Sequence, residues 1–384
     1  MYILMISRGF PTAEYPQWGC FEKDQAEALA ALGHKVVVMS VDARLQKNRG
    51  KLGLKNFTIN GVEYYNYITL PGSLFLKTIG PDKYIKWIKY PLYYKKLFNK
   101  IVKDHGLPNL IYSQFFWNTV MGVKIKEDTG IPVIGIEHLA RFNNQKLSAN
   151  DYKWALYAFE NSDASIAVSQ SLANNLQKHF NLSFEVVHNM YGREFQPTEP
   201  LLKWDSSKVL KFISAASLIK RKGFDILIKA FAEANIPIDK WELDIIGDGE
   251  EKENLLELIK EKKLEKNIHL LGKKSKNQIV EQLEQSQVYI LPSKNENFSV
   301  AVLEGLAMGL PVIATDCGGI RECLNDKNGM IVPVDNITAL SDAIKNMFAT
   351  YTQYDRNWIV SDCRRRFSSE AIAMKLEDIF EKFV

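Results

Sequence analysis

Short apolar runs alternate with amphipathic stretches along the chain, and each run has the length of a buried strand. In the first half these are "YILMI" (2–6), "KVVVMS" (35–40), "NLIYS" (109–113), "IPVIGI" (131–136) and "ASIAV" (164–168). The second half repeats the rhythm in "VLKFISA" (209–215), "ELDIIG" (242–247), "NIHLLG" (267–272), "QVYILP" (287–292), "PVIAT" (311–315) and "GMIVP" (329–333). Runs followed by helix-like sequence predict parallel sheets, so two doubly wound α/β sheets are expected in succession. Helices are best marked at 21–33, which closes on Gly33, and at 369–383, where apolar residues recur at helical spacing.

Between the two halves, "GREFQPTEPLLKWDSS" breaks all periodicity with two prolines and a polar tail. The domain boundary is therefore set near residue 198, giving 1–198 and 199–360, with 361–384 as a terminal helical segment. A chain of 384 residues with 46% hydrophobic residues can bury a core in each half. Its apolar runs fall well short of the roughly 18 residues of a membrane span. The opening stretch has no basic leader or cleavage site, so it reads as a first strand and a cytoplasmic location is expected. Cys20, Cys317, Cys323 and Cys363 make no Cys-x-x-Cys pair, which argues against a disulfide scaffold or a zinc site. A net charge of +4 does not by itself signal nucleic-acid binding.

In open parallel sheets ligands bind beyond the carboxyl ends of the strands, so the loops there carry the candidate chemistry. After the first strand, "SRGFPTAEYPQWGCF" runs through Gly19 into a helix whose start offers N–H groups to an anion. After 209–215, "SLIKRKGFD" sets Ser217 ahead of Lys220, Arg221 and Lys222, with Gly223 following. Three adjacent cations are usually a solvated face; here they precede a helix at the sheet's carboxyl edge. "GDGEE", beginning at Gly247, is a tight turn whose ordinary reading is structural, since it is not the dinucleotide fingerprint.

The fourth loop is "PSKNENFSVAVLEGLAMGLPVIATDCGGIRE" (292–322), with Glu296 and Glu304 eight positions apart. Ser299 is a plausible N-cap, which puts Glu304 about 7 Å into the helix at 1.5 Å per residue, while Glu296 precedes it. That separation exceeds the roughly 5 Å between the carboxylates of a retaining glycoside hydrolase. The pair is better placed to grip two ends of one extended ligand. The N–H groups near Asn297, Phe298 and Ser299 at the helix start would seat a phosphate between them.

These residues resemble those of the retaining nucleotide-sugar glycosyltransferases of family 4, along nearly the whole chain. Glu296 and Glu304 match the ends of that family's Glu-x7-Glu motif, which continues through Gly309, Pro311, Thr315, Gly318, Gly319 and Glu322. "SLIKRKGFDILIKAF" resembles its phosphate-binding segment, and Ser169 and Asn189 lie in the stretch that matches the end of its first domain. The resemblance implies a GT-B fold, two Rossmann-like domains facing a central cleft, with an acceptor domain followed by a donor domain. The last helix would pack back on the first domain, and the cleft would close on the donor. It further implies that Glu296 contacts hydroxyls of the transferred sugar, Glu304 the ribose and Lys222 the diphosphate. Gly19 would let the first-domain loop approach that diphosphate. His138, in the loop after 131–136, falls where the family keeps an active-site histidine near the sugar. Lone histidines are more often structural, but the loop position favours a role here. In two places the chain departs from the pattern. Ser217 replaces an arginine that contacts the diphosphate, leaving Lys220, Arg221 or Arg8 to compensate, and "HNM" (188–190) stands where Pro-Asn-Gly is usual.

The chain has no Asp-x-Asp, no His-Glu-x-x-His and no clustered carboxylates, so cations and helix dipoles are expected to stabilise the leaving diphosphate without metal. No cofactor is expected beyond the nucleotide-diphosphate sugar, a UDP sugar by preference, as co-substrate. Retention follows from the resemblance and, with no paired nucleophile evident, suggests same-face attack. A glycan or lipid-linked acceptor, as in bacterial surface polysaccharide synthesis, is expected. Lysines flanking aromatics in 76–103 fit either a helix on the inner face of an anionic plasma membrane, contacting it through 77–103, or an ordinary amphipathic helix covering the first sheet. Two other readings stay open: a nucleotide-sugar epimerase of the same fold and a non-catalytic sugar-nucleotide binding module. A nicotinamide dehydrogenase lacks its glycine fingerprint here.

Overall fold

The computed structural model describes residues 1–12, 14–15, 18–43, 52–69, 90–144, 147–197, 201, 204 and 209–384. The chain forms two compact units. One comprises Met1–Val168, Ala173–Val187 and Ile372–Val384; the other comprises Ser169–Leu172 and His188–Ala371. Residues 198–200, where the sequence places the domain boundary, lie outside the described residues.

The first unit is built on eight strands: β1 (Tyr2–Ser7), β2 (Lys35–Asp42), β3 (Gly53–Ile59), β4 (Val62–Ile68), β5 (Leu110–Gln114), β6 (Val133–Glu137), β7 (Ala164–Ala167) and β8 (Glu185–Val186). Their order is β3-β4-β2-β1-β5-β6-β7-β8. All neighbours are parallel except β3 and β4, which form an antiparallel hairpin. That hairpin is not among the runs expected from periodicity. Its signal is "NG" at 60–61, where both residues take positive φ, the geometry of a two-residue hairpin turn. β1, β5 and β6 are almost continuously apolar because helices cover both faces of a parallel sheet.

The helix Tyr90–His105 has Pro91 in its first turn and buries Tyr94, Leu97, Phe98 and Ile101, an i, i+3, i+4, i+7 stripe. The apolar face of this segment is thus used in covering the sheet, while Lys95 pairs with Asp128 and Lys100 with Asp104. Residues 77–89 of the basic aromatic stretch are outside the described residues. The helix Cys20–Ala31 starts one residue earlier and stops two before the sequence expectation, and the last helix, Ser369–Phe380, ends three before it. Within the first unit, the Phe380 ring lies 5.0 Å from that of Tyr112, and Glu377 Oε1 lies 3.0 Å from His34 Nε2.

The second unit holds six parallel strands: β9 (Leu210–Ala215), β10 (Trp241–Ile246), β11 (Ile268–Gly272), β12 (Val288–Leu291), β13 (Val312–Thr315) and β14 (Gly329–Val332). Their order is β11-β10-β9-β12-β13-β14. Its core gathers Phe212, Phe231, Trp241, Leu243, Ile245 and Ile290, with Trp241 stacked on Phe231 at 4.6 Å. The strand order reverses between β9 and β12, which opens a crevice at the carboxyl ends of those two strands. In the first unit the equivalent point lies between β1 and β5.

Candidate functional site

The loops after β9 and β12 meet at the switch point of the second sheet. A short 3-10 turn, Lys220–Lys222, follows β9 and ends at Gly223 with φ +69. A side chain there would put its Cβ 2.1 Å from the Pro292 carbonyl oxygen, so only glycine lets the basic loop lie against the loop after β12. The two loops are then joined: Lys294 N–H donates to the Arg221 carbonyl at 2.8 Å, and Arg221 Nη1 donates to the Asn295 carbonyl. Lys222 Nζ is paired with Glu296 Oε1, and the Arg221 guanidinium lies 3.9 Å from Oε2. The Lys222 and Glu296 side chains are only 16% and 12% exposed, so this pair is screened far less than a surface ion pair.

The loop that carries Glu296 is held from its other side by the residues after β13. Gly318, at φ +60, would drive a Cβ to 1.9 Å from the Glu296 carbonyl oxygen, and Gly319 N–H donates to the Asn297 carbonyl at 2.7 Å. Thr315 Oγ1 donates to the Ser293 carbonyl. These contacts give the glycine pair of "DCGGI" its reason.

Ser299 caps the helix Val300–Ala307, its hydroxyl accepting from Val302 N–H at 3.4 Å. Asn297, Phe298 and Ser299 are buried. The Phe298 ring packs 4.6 Å from His188 and 5.5 Å from Phe367, and its carbonyl accepts from Asn189 Nδ2 at 3.1 Å. Its side chain is therefore taken up by packing against His188 and Phe367. Glu304 is half-buried on the helix.

Beneath both glutamates lies Tyr289, which the sequence reading did not single out. Its buried hydroxyl donates to the Ala215 carbonyl at 3.2 Å and accepts from Ala215 N–H at 3.2 Å, joining β12 to the end of β9. Burial pushes this phenol well above its usual range, and the nearby charges of Glu304 and Glu296 push it further. The helix lies directly on the Tyr289 ring at Gly305, where a Cβ would come within 2.9 Å of ring carbon. Ser217 is exposed in the loop after β9, and Gly247, after β10, abuts the Ala216 carbonyl of that loop. An open groove of about 570 Å³ elsewhere in the unit, lined in part by Asp326, Lys327 and Trp358, includes none of the residues that the sequence singles out.

In the first unit, His138 follows β6. Its Nε2 is 2.8 Å from Gln114 Oε1, and its ring lies 5.0 Å from Phe115 and 6.4 Å from Phe21. The preceding Glu137 is fully buried, its carboxylate accepting from the N–H groups of Phe116 (3.0 Å), His138 (2.7 Å) and Leu139 (2.8 Å). Burial raises its pKa to about 7 against the opposing pull of those three bonds and of Arg141. Phe115 takes φ +67, a conformation rarely adopted by a bulky residue, at the start of the helix that Glu137 caps. Gly19 begins the helix Cys20–Ala31 and sits against the Gly9 carbonyl of its own loop. Arg8 is held by buried Glu22 through bonds of 2.6 and 3.1 Å, with the rings of Phe115 and Trp18 4.1 and 5.1 Å from the guanidinium carbon. Among the described residues, no group of three or more His, Cys, Asp or Glu side chains is placed to hold a metal ion. No helix among them is long and apolar enough to cross a membrane.

A cation loop, a glutamate paired to it and a helix start thus lie together at a sheet's switch point in an α/β protein. Residues 23–195 match the family model for Glycosyltransferase Family 4, and residues 203–360 match that for Glycosyl transferases group 1. The chain belongs to glycosyltransferase family 4. It is 27% identical over 264 residues to an uncharacterized glycosyltransferase of Methanocaldococcus jannaschii, covering 68% of this chain and 71% of that protein. It is 26% identical to a putative colanic acid biosynthesis glycosyltransferase of Escherichia coli, covering 54% of this chain and 52% of the relative. The structure is similar to that of Anabaena HepE in complex with UDP-glucose, with a TM-score of 0.73, 18% identity and full coverage of both chains. The fold is GT-B, with two Rossmann-like domains.

Proposed function

We propose that this glycosyltransferase moves a sugar from a nucleotide-diphosphate sugar, UDP-linked, to a glycan or lipid-linked acceptor, with retention at the anomeric carbon. The observation that carries the reading is the Lys222–Glu296 pair at the switch point of the second sheet, beside the capped start of the helix Val300–Ala307. A diphosphate entering there would meet Lys222, Arg221 and the positive end of the helix, in place of a metal ion. Glu296, released from Lys222, would turn to the sugar hydroxyls, and Glu304, further along the helix, to the ribose. Of the cations that could make up for Ser217, Arg221 is the one that lies beside the retained Lys222 at Glu296. On the family's pattern, Gly19 and His138 are the first domain's contributions, that domain taking the acceptor and the second the donor.

A UDP donor is supported by the UDP-glucose held by the HepE fold relative, and a role in surface polysaccharide synthesis by the colanic acid relative. Location at the inner face of the plasma membrane is proposed from the lysines of the helix Tyr90–His105, whose outward side remains charged. The deciding measurement is a panel of uridine and guanosine diphosphate sugars, each assayed for slow hydrolysis and for transfer, with and without EDTA. Turnover of a UDP sugar that survives EDTA is expected. Binding without turnover of any donor would leave a sugar-nucleotide binding module, and loss of activity with EDTA would overturn metal independence.

A further inference from the structure

We infer that Tyr112, Gln25 and Gln114 form a buried hydrogen-bond relay that holds His138 in one tautomer, with its proton on Nε2. All three are closed from solvent. Tyr112, on β5, donates its hydroxyl to Gln25 Oε1 at 2.9 Å, and Gln114 Nε2 donates to the same oxygen at 2.8 Å. The remaining atom of the Gln114 amide, Oε1, faces His138 Nε2 at 2.8 Å.

An amide oxygen only accepts, so the imidazole nitrogen opposite it must carry hydrogen. The direction of the chain begins at the phenol. Burial pushes the Tyr112 hydroxyl far above its usual range, so it stays protonated, and a fully buried hydroxyl must place its proton on an acceptor. Gln25 Oε1 receives it. Reversing the Gln25 amide alone would set NH2 against NH2 at Gln114, and reversing Gln114 alone would set oxygen against oxygen at Gln25. The amides therefore turn together or not at all, and the tautomer of His138, just after β6, is coupled to a tyrosine on the adjacent strand β5 by way of the helix Cys20–Ala31. Gln25 joins the relay from that helix, 89 residues from Gln114.

Tyr112, Gln25 and Gln114 are thus positioning residues. Their use in catalysis rests on the transferase reading; their effect on the imidazole does not. A fixed Nε2–H tautomer leaves the buried Nδ1 as the acceptor nitrogen of the neutral ring, so no tautomer rearrangement would be needed when a substrate binds beside it.

The test is nitrogen NMR of protein labelled at histidine, recorded at about pH 8, above the ordinary imidazole range. The reference is the nitrogen pattern of a neutral imidazole that carries its hydrogen on Nε2 alone, with Nε2 protonated and Nδ1 bare. Wild-type His138 is expected to match that reference, whereas Tyr112→Phe, which keeps the ring and removes the donor, is expected to show both tautomers. A wild-type ring protonated on Nδ1, or a Tyr112→Phe spectrum identical to wild type, would overturn the relay. The same two proteins are then assayed with the donor sugar that the wild type turns over. A fall of about tenfold in kcat for Tyr112→Phe, with donor KM unchanged, is expected. Unchanged turnover alongside mixed tautomers would overturn the catalytic use while leaving the relay standing. A wild-type protein that transfers no sugar would sink the transferase reading and still leave the nitrogen spectra to decide the relay.

Discussion

Lys222 and Glu296 are 74 residues apart in sequence and form an ion pair that is largely shielded from water. The pair joins the loop after β9 to the loop after β12, across the point where the strand order of the second sheet reverses. Each partner holds the other in place at the point where the proposed reading would bring a diphosphate and a sugar.

Glu296→Gln keeps the shape of the side chain and removes its charge. Turnover is expected to fall by about 10²–10³-fold, because the group would act on the sugar. Affinity for free UDP, by titration calorimetry, should stay within a few-fold of wild type. Equal losses in rate and in nucleotide affinity would refute the assignment.

Glu304→Ala removes a half-buried carboxylate that is proposed to meet the ribose hydroxyls. Affinity for the free nucleotide is expected to drop by about tenfold, the worth of one charge-assisted hydrogen bond. A variant that binds UDP as tightly as wild type would show the ribose contact to be misplaced.

Lys222→Ala leaves a shielded carboxylate without its lysine, and a loss of about 1–3 kcal/mol in stability is expected. Combined with Glu296→Gln, the two losses should add to less than their sum, with a coupling of about 1 kcal/mol by urea denaturation. Strict additivity would mean that the ion pair contributes nothing to folding.

Glu137 supplies a pH signature. Its folded-state pKa of about 7 lies above the ordinary 4.5, so the folded protein binds a proton that the unfolded chain has already released in this window. The stabilisation from this group is full below pH 4.5 and is lost as pH rises to about 7. It amounts to roughly 3 kcal/mol at 1.36 kcal/mol per pKa unit. The stability of wild type minus that of Glu137→Gln should fall across this window and stay level above it. A difference that is flat with pH would show that the three N–H bonds outweigh desolvation.

Alternating apolar runs and amphipathic stretches were sufficient to identify both sheets, because a strand covered on two faces must be apolar along its length and no other element of that size must. They missed the hairpin β3–β4, whose exposed, mixed-polarity first strand does not carry that mark. Motif spacing also led to Glu296, Glu304, Lys222 and Gly223, since the loop after a strand is a position that local sequence defines. It could not show that Lys222 and Glu296 pair, nor that Asn297, Phe298 and Ser299 are buried.

Tyr289, Glu137, Gln25, Gln114 and Tyr112 carry no motif. What gives each its role is a partner brought close by strand order, such as Ala215 to Tyr289 or Gln25 to Gln114. By itself, then, the chain's own pattern determined two α/β sheets and the loops that follow their strands, which rest on local periodicity, while its motifs carried the resemblance to the family to which it belongs. Only the tertiary structure decided which charges face one another, which carboxylate titrates near neutrality and which way a buried amide points, because these depend on desolvation and on distances between residues remote in the chain.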